Sequence, residues 1–193
     1  MLASASPVRA RVLRDAGFAP EVIVSGVDED DVVGPTHEVA HTLAQRKAKA
    51  VASTLEGDAI VLGCDTVLDV DGETRGKAPT LEIARRWWAS VAGREATLHS
   101  GLCVIDTTTG ATSSGVASTT IRYGRPTDAE MDAYLATGEP LAVAGGFTID
   151  GYAAPFVDGI DGDHAAVLGL SLPLLRRLLD EIGTAITDLW VPR

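Results

Sequence analysis

The feature that most constrains this chain is the run Ala59-Ile-Val-Leu-Gly-Cys64, apolar throughout and followed at once by Asp65. A half-buried strand alternates apolar and polar residues. A run without alternation reads as a strand covered on both faces, the pattern of a parallel strand inside an α/β sheet. Helical signals flank it. Ser6-Pro7 is a cap and first-turn pair that opens a helix stopped by Gly17, with Val12, Leu13 and Ala16 inward. Thr36 caps a second helix to about Ser53, and a third runs from Thr80 to about Ala92, with Trp87 on its inner stripe beside Ile83, Ala84 and Val91. Glu21 to Ser25 reads as a strand. Val67 to Val70 and Glu73 to Arg75 form a hairpin around Asp71-Gly72, and Thr97 to Asp106 and Ala111 to Tyr123 read as two longer strands. Thr127-Asp-Ala-Glu130 matches a capping box, Ala142 to Gly162 is glycine-rich, and a Leu-rich helix spans about Leu172 to Ile182. With no linker or repeat, the chain predicts one α/β domain over 1–193, a mixed sheet flanked by helices.

Charge narrows the partners. The formal net charge is −11 at pH 7, so broad contact with nucleic acid or an anionic membrane is excluded, and phosphate binding needs a local set of cations or a metal. Cys64 and Cys103 lack metal-knuckle spacing and fit a reducing compartment. No apolar run approaches the ~20 residues that span a bilayer, so the cytoplasm is the expected location.

Five places carry chemistry. Ser4, Ser6 and Arg9 surround a helix N-terminus, which presents free N–H groups to an anion; the bland alternative is an ordinary capped helix with a solvated arginine. Asp65 follows a buried strand, where a carboxylate holds a metal, acts as a general base, or merely caps a turn. Lys47 interrupts the stripe Val39, Leu43, Val51, either as a functional cation or as a snorkelling side chain. Lys77 stands in a glycine-bounded loop. The acidic stretch Asp28-Glu29-Asp30-Asp31 is a solvated loop or a source of oxygen ligands for Mg²⁺ or Mn²⁺.

Taken in order, these pieces resemble the Maf family of nucleoside triphosphate pyrophosphatases, also called septum formation inhibitors. Leu2-Ala-Ser-Ala-Ser-Pro7 with Arg9, Val27-Asp-Glu29, and Ala44-Gln-Arg-Lys47 match its first third. Cys64-Asp65-Thr66-Val67, Asp71-Gly72 and Gly76-Lys77 are similar to its central block. Tyr134 to Glu139, Ala144-Gly145-Gly146, Gly159 to Asp163 and Val167 to Leu170 resemble its last third. The resemblance implies an elongated two-lobed α/β fold with a central cleft, similar to that of inosine triphosphate pyrophosphatases. It implies metal-dependent cleavage of a nucleoside triphosphate to the monophosphate and pyrophosphate. It places the proton acceptor on Asp65, substrate contacts on Ser4, Ser6, Arg9, Lys47 and Lys77, and an acidic residue on Asp28 or Glu29. Metal ligation by Asp28 and Asp65, with Glu29 as the alternative, is inferred from that placement.

The chain departs from the family pattern at Val8, Cys64, Ala78, Asp150 and Ala166, and Val8 and Asp150 leave the preferred base open. Pyrimidine triphosphates, dTTP and UTP, are the expected substrates, with CTP, 7-methyl-GTP and ITP as alternatives. A nucleotide-binding regulator of cell division without turnover is the reading from a different class. A homodimer is an expectation that no motif carries.

Overall fold

The computed structural model describes residues 1–191. In chain order it holds β1 (Leu2–Ala3), α1 (Pro7–Asp15), α2 (Thr36–Ala52), β2 (Ile60–Val70), β3 (Glu73–Arg75), α3 (Leu81–Val91) and β4 (Glu95–Asp106). Then follow β5 (Thr112–Tyr123), α4 (Asp128–Ala136), β6 (Val157–Asp161), α5 (His164–Val167) and α6 (Leu172–Glu181). One mixed sheet runs β1-β2-β4-β5-β6, with β3 paired to β2; β1 is parallel to β2 and every other pair is antiparallel.

The caps act as their residue types dictate. Ser6, Thr80 and Ser171 accept N–H groups of the first turns of α1, α3 and α6, and Thr127 with Glu130 forms the full capping box of α4. Thr36 does not cap α2. Pro35 holds that position without a side-chain bond, and the Thr36 hydroxyl instead meets that of Thr74 on β3 at 2.8 Å.

Sheet pleat sends successive side chains to opposite faces. Ala44, Ala48 and Val51 of α2 cover Val61, Cys103 and Ile105 on one face. On the other face α1 and α6 cover Leu62, Cys64, Leu102 and Val104, while α3 and α4 cover Leu68, Val70, Ala96 and Leu98. The apolar run around Leu62 is therefore apolar because helices lie on both sides of it. Of its two neighbours, the long β4 is antiparallel and only the short β1 is parallel.

Four further expectations change. The strand continues past Cys64 to Val70, so Asp65 lies inside it rather than beyond its end. Glu21 to Ser25 forms only a single bridge, Leu2 to Val22, because β1 offers so short an edge. The fully buried tryptophan of α3 is Trp88, whose indole N–H donates to Gly146 O at 2.8 Å, while Trp87 is half-buried against the same cluster with the Arg75 guanidinium over its ring. The glycine-rich segment also contains β6, which closes the sheet against β5.

Candidate active site

Along β2 the β4 side is fully paired, so β1 and β3 share the other edge. The register leaves Cys64 to Val67 between them without a strand neighbour. A ligand entering at this gap meets both faces of the sheet at once, because Asp65 and Thr66 point in opposite directions.

On the α2 face, Lys47 reaches Asp65. A Cβ added at Gly63 would sit 2.2 Å from Ala44 O, and one at Gly101 would sit 2.2 Å from Ala40 O. Both distances are far inside contact, so only glycines let α2 lie this close. The Ala40, Ala44 and Ala48 stripe supplies the matching small surface. Lys47 is 8% exposed and Asp65 5%, and Lys47 Nζ lies 2.6 Å from Asp65 Oδ1. Burying two charges is costly unless they are paired, and here each offsets the other. Glu29 Oε1 lies 2.7 Å from the same ammonium. Asp65 Oδ2 is buried and has no hydrogen-bond partner.

On the opposite face Arg9 ties four segments together. Its Nε donates to Gly169 O at 2.9 Å, and Nη1 donates to Ser4 Oγ at 2.9 Å and to Cys64 O at 3.1 Å. Nη2 donates to Thr66 Oγ1 at 3.0 Å. None of these acceptors carries a charge, so none of them offsets that of the guanidinium. Gly169 adopts a φ of +96°, and a Cβ there would press on Arg9 Nε at 3.1 Å. Ser4 Oγ also accepts the N–H of Ser6, and Ser6 Oγ accepts that of Arg9.

The remaining candidates sit farther out. Lys77 is exposed and placed by backbone pairing with Ala144, and its side chain makes no hydrogen bond or ion pair among the described residues. Asp28 turns to its own loop and accepts the N–H of Asp30 at 3.0 Å, so Glu29 is the loop carboxylate that reaches Lys47. Asp31 pairs with Arg46 and holds the loop against α2. Asp150 pairs with Arg11 of α1. Burial raises its proton affinity, but hydrogen bonds from Thr148 and Arg11 outweigh that and hold its pKa below the usual carboxylate range. Two surface hollows, of about 500 Å³ beside Arg75 and Trp87 and about 660 Å³ beside Arg94, Arg122 and Arg125, lie away from Asp65. Ser100, which touches Thr66, was not singled out from the sequence. Its signal is a polar residue interrupting the buried face between Leu98 and Leu102.

The gap thus brings together a buried carboxylate with an unpartnered oxygen and two cations, Lys47 and Arg9, on opposite faces of the sheet. Comparison with known proteins bears on the chain as a whole. The family model described as "Maf-like protein" matches residues 1–182, from β1 through the end of α6. A Streptomyces coelicolor protein named nucleoside triphosphate pyrophosphatase is 57% identical over 194 residues, covering 100% of this chain and 94% of that protein. A Streptomyces avermitilis protein of the same name is 54% identical, covering 100% of this chain and 95% of that one. A third of that name, from Saccharopolyspora erythraea, is 48% identical, with coverage of 100% and 97%. Since the match runs through every element that builds the gap in β2, the chain belongs to the Maf-like protein family.

Proposed function

We propose that this chain hydrolyses nucleoside triphosphates to the monophosphate and pyrophosphate, with dTTP and UTP as its substrates. The observation that carries the reading is the buried Lys47–Asp65 pair at the open edge of β2, with Asp65 Oδ2 left without a partner. The names of the relatives support the same reaction.

Cleavage between the α- and β-phosphates needs water aimed at the α-phosphorus and charge drawn off the departing pyrophosphate. Most of this is positioning and electrostatics. Asp65 orients the attacking water and takes its proton, while Lys47 holds its carboxylate in place through Oδ1. Arg9 and Lys47 set positive charge on the two sides of the triphosphate, and Ser4 and Ser6 present hydroxyls at the start of α1. Lys77 reaches the phosphates from the loop after β3. This local positive charge lets a chain of net charge −11 hold a polyanion.

Mg²⁺ and Mn²⁺ take oxygen ligands, commonly one or two carboxylates together with substrate phosphates. The free Oδ2 of Asp65 and the carboxylate of Glu29 are donors of that kind, with Asp28 next in the same loop. Phosphate oxygens of the substrate would complete the set. Bound there, the ion would neutralise charge developing on the leaving group. The proposal places the enzyme in the cytoplasm; no helix among the described residues is long and apolar enough to cross a membrane.

The test follows pyrophosphate and orthophosphate from dTTP, UTP, CTP, ITP and 7-methyl-GTP with Mg²⁺ or Mn²⁺, alongside Asp65→Asn. Pyrophosphate from dTTP and UTP, lost in the variant, is the expected result. Bound nucleotide without turnover overturns the enzymatic reading in favour of a regulator. Turnover confined to 7-methyl-GTP or ITP overturns the pyrimidine assignment alone.

A further inference from the structure

Ser100 takes no part in the chemistry proposed above, yet it lies fully buried at the middle of β4, directly across from Thr66. Its hydroxyl has one proton. That proton goes to Ala166 O at 2.7 Å. The 3.1 Å contact between Ser100 Oγ and Thr66 Oγ1 is therefore donated by Thr66. With its own proton committed, Thr66 Oγ1 faces Arg9 Nη2 as an acceptor, at 3.0 Å. The bonds thus run in one direction, from Arg9 to Thr66 to Ser100 to the carbonyl of Ala166.

The chain of bonds closes on itself. Ala166 O also accepts the N–H of Gly169, and Gly169 O accepts Arg9 Nε. Arg9 is thereby fixed at both ends of its guanidinium by one short loop, directly at Nε and through two hydroxyls at Nη2. A guanidinium has five N–H bonds. The contacts described use one at Nε, both at Nη1 and one at Nη2, which leaves a single Nη2 donor whose direction is set by the Thr66 contact.

We infer that Ser100 is a positioning residue for substrate binding: by fixing the direction of the Thr66 hydroxyl, it aims the remaining N–H of Arg9 at a substrate phosphate. The inference rests on the reading of Arg9 as a phosphate contact.

Threonine and valine have nearly the same shape, so Ser100→Thr and Ser100→Val differ by the hydroxyl alone. The probe is the α,β-imido analogue of whichever triphosphate is turned over best, with binding measured by calorimetry and KM and kcat by pyrophosphate release. Losing a hydrogen bond that orients a charged group costs about tenfold. Ser100→Val is expected to weaken analogue binding and raise KM by about that factor, with kcat and its pH profile unmoved. Ser100→Thr stays within about twofold of wild type. In an Arg9→Ala background the valine adds no further loss, because its effect passes through Arg9.

Equal binding by the threonine and valine variants overturns the inference, and so does a valine loss that persists in full without Arg9, which would assign it to packing. Should the valine chain not fold, Ser100→Ala removes the hydroxyl without adding volume, and wild-type binding by that variant is equally decisive against it. An Arg9→Ala chain that binds the analogue as tightly as wild type is a different failure. It removes Arg9 from the site and takes the role of Ser100 with it.

Discussion

Lys47 Nζ lies 2.6 Å from Asp65 Oδ1, and no other carboxylate touching that ammonium is buried; the second, on Glu29, is exposed. The two partners are therefore unequal to remove. Lys47→Met leaves the Asp65 carboxylate buried without its cation and is expected to destabilise the chain by about 3 kcal/mol. Asp65→Asn leaves Lys47 with Glu29 and should cost much less, while reducing turnover at least a hundredfold. Thermal melts of the two variants, set beside pyrophosphate release, check the asymmetry.

Gly63 and Gly101 set the distance between α2 and the sheet. A methyl group at either position meets a backbone carbonyl of α2 at 2.2 Å, and a helix backbone cannot yield as a flexible side chain can. Gly63→Ala and Gly101→Ala are each expected to lose about 2–3 kcal/mol in urea unfolding. Both should also lower kcat, since lifting α2 draws Lys47 from Asp65. A stability loss with unchanged kcat would mean that the pair follows the helix.

Glu29 and Asp28 are neighbours in sequence with different reach. Glu29→Gln should lower kcat/KM about tenfold or more and raise the Mn²⁺ concentration needed for half-maximal rate, whereas Asp28→Asn should change either by less than about threefold. Chelation by EDTA is expected to stop turnover by the wild-type chain, and added Mg²⁺ or Mn²⁺ to restore it. Equal losses in the two variants would return Asp28 to the site.

Burial pushes the thiols of Cys64 and Cys103 up to about 11 from an ordinary value of about 9. Both should resist a thiol reagent at pH 8 in the folded chain and react at once in urea. The folded chain binds more thiol protons than the unfolded one between pH 9 and 11, so stability falls as pH rises through that window. Below pH 9 both states keep the protons and these groups give no slope. A melting temperature that is flat from pH 9 to 11 would contradict the assignment.

The α/β class was legible because caps and turn glycines act locally. Ser6 and Thr127 cap as their sequence positions indicate, whereas Thr36 lies one residue inside its helix. What long-range packing decides was harder to read. Trp87 and Trp88 both fit helical spacing in α3, and the choice falls to Trp88 because Gly146, far along the chain, supplies its acceptor. Asp65 and Thr66 look like the end of a strand, since polar residues interrupt the run. They continue it because Lys47 and Arg9 meet them from opposite faces. Ser4, Ser6, Arg9, Lys47 and Asp65 stood out by residue type and order, but no local pattern separates Glu29 from Asp28. Ser100 was visible only as a break in an apolar face, which becomes informative once its strand partner is known.

The bond from Arg9 to Gly169 has a consequence for how the protein is made. The two residues are 160 positions apart, so a growing chain emerges from the ribosome with its arginine long before the carbonyl that fixes it. β1 likewise waits for β2 before it can pair. A product released before Gly169 lacks that restraint on Arg9 as well as the whole of α6. The guanidinium of Arg9 is thus held at Nε only once Gly169, close to the end of the chain, has been added.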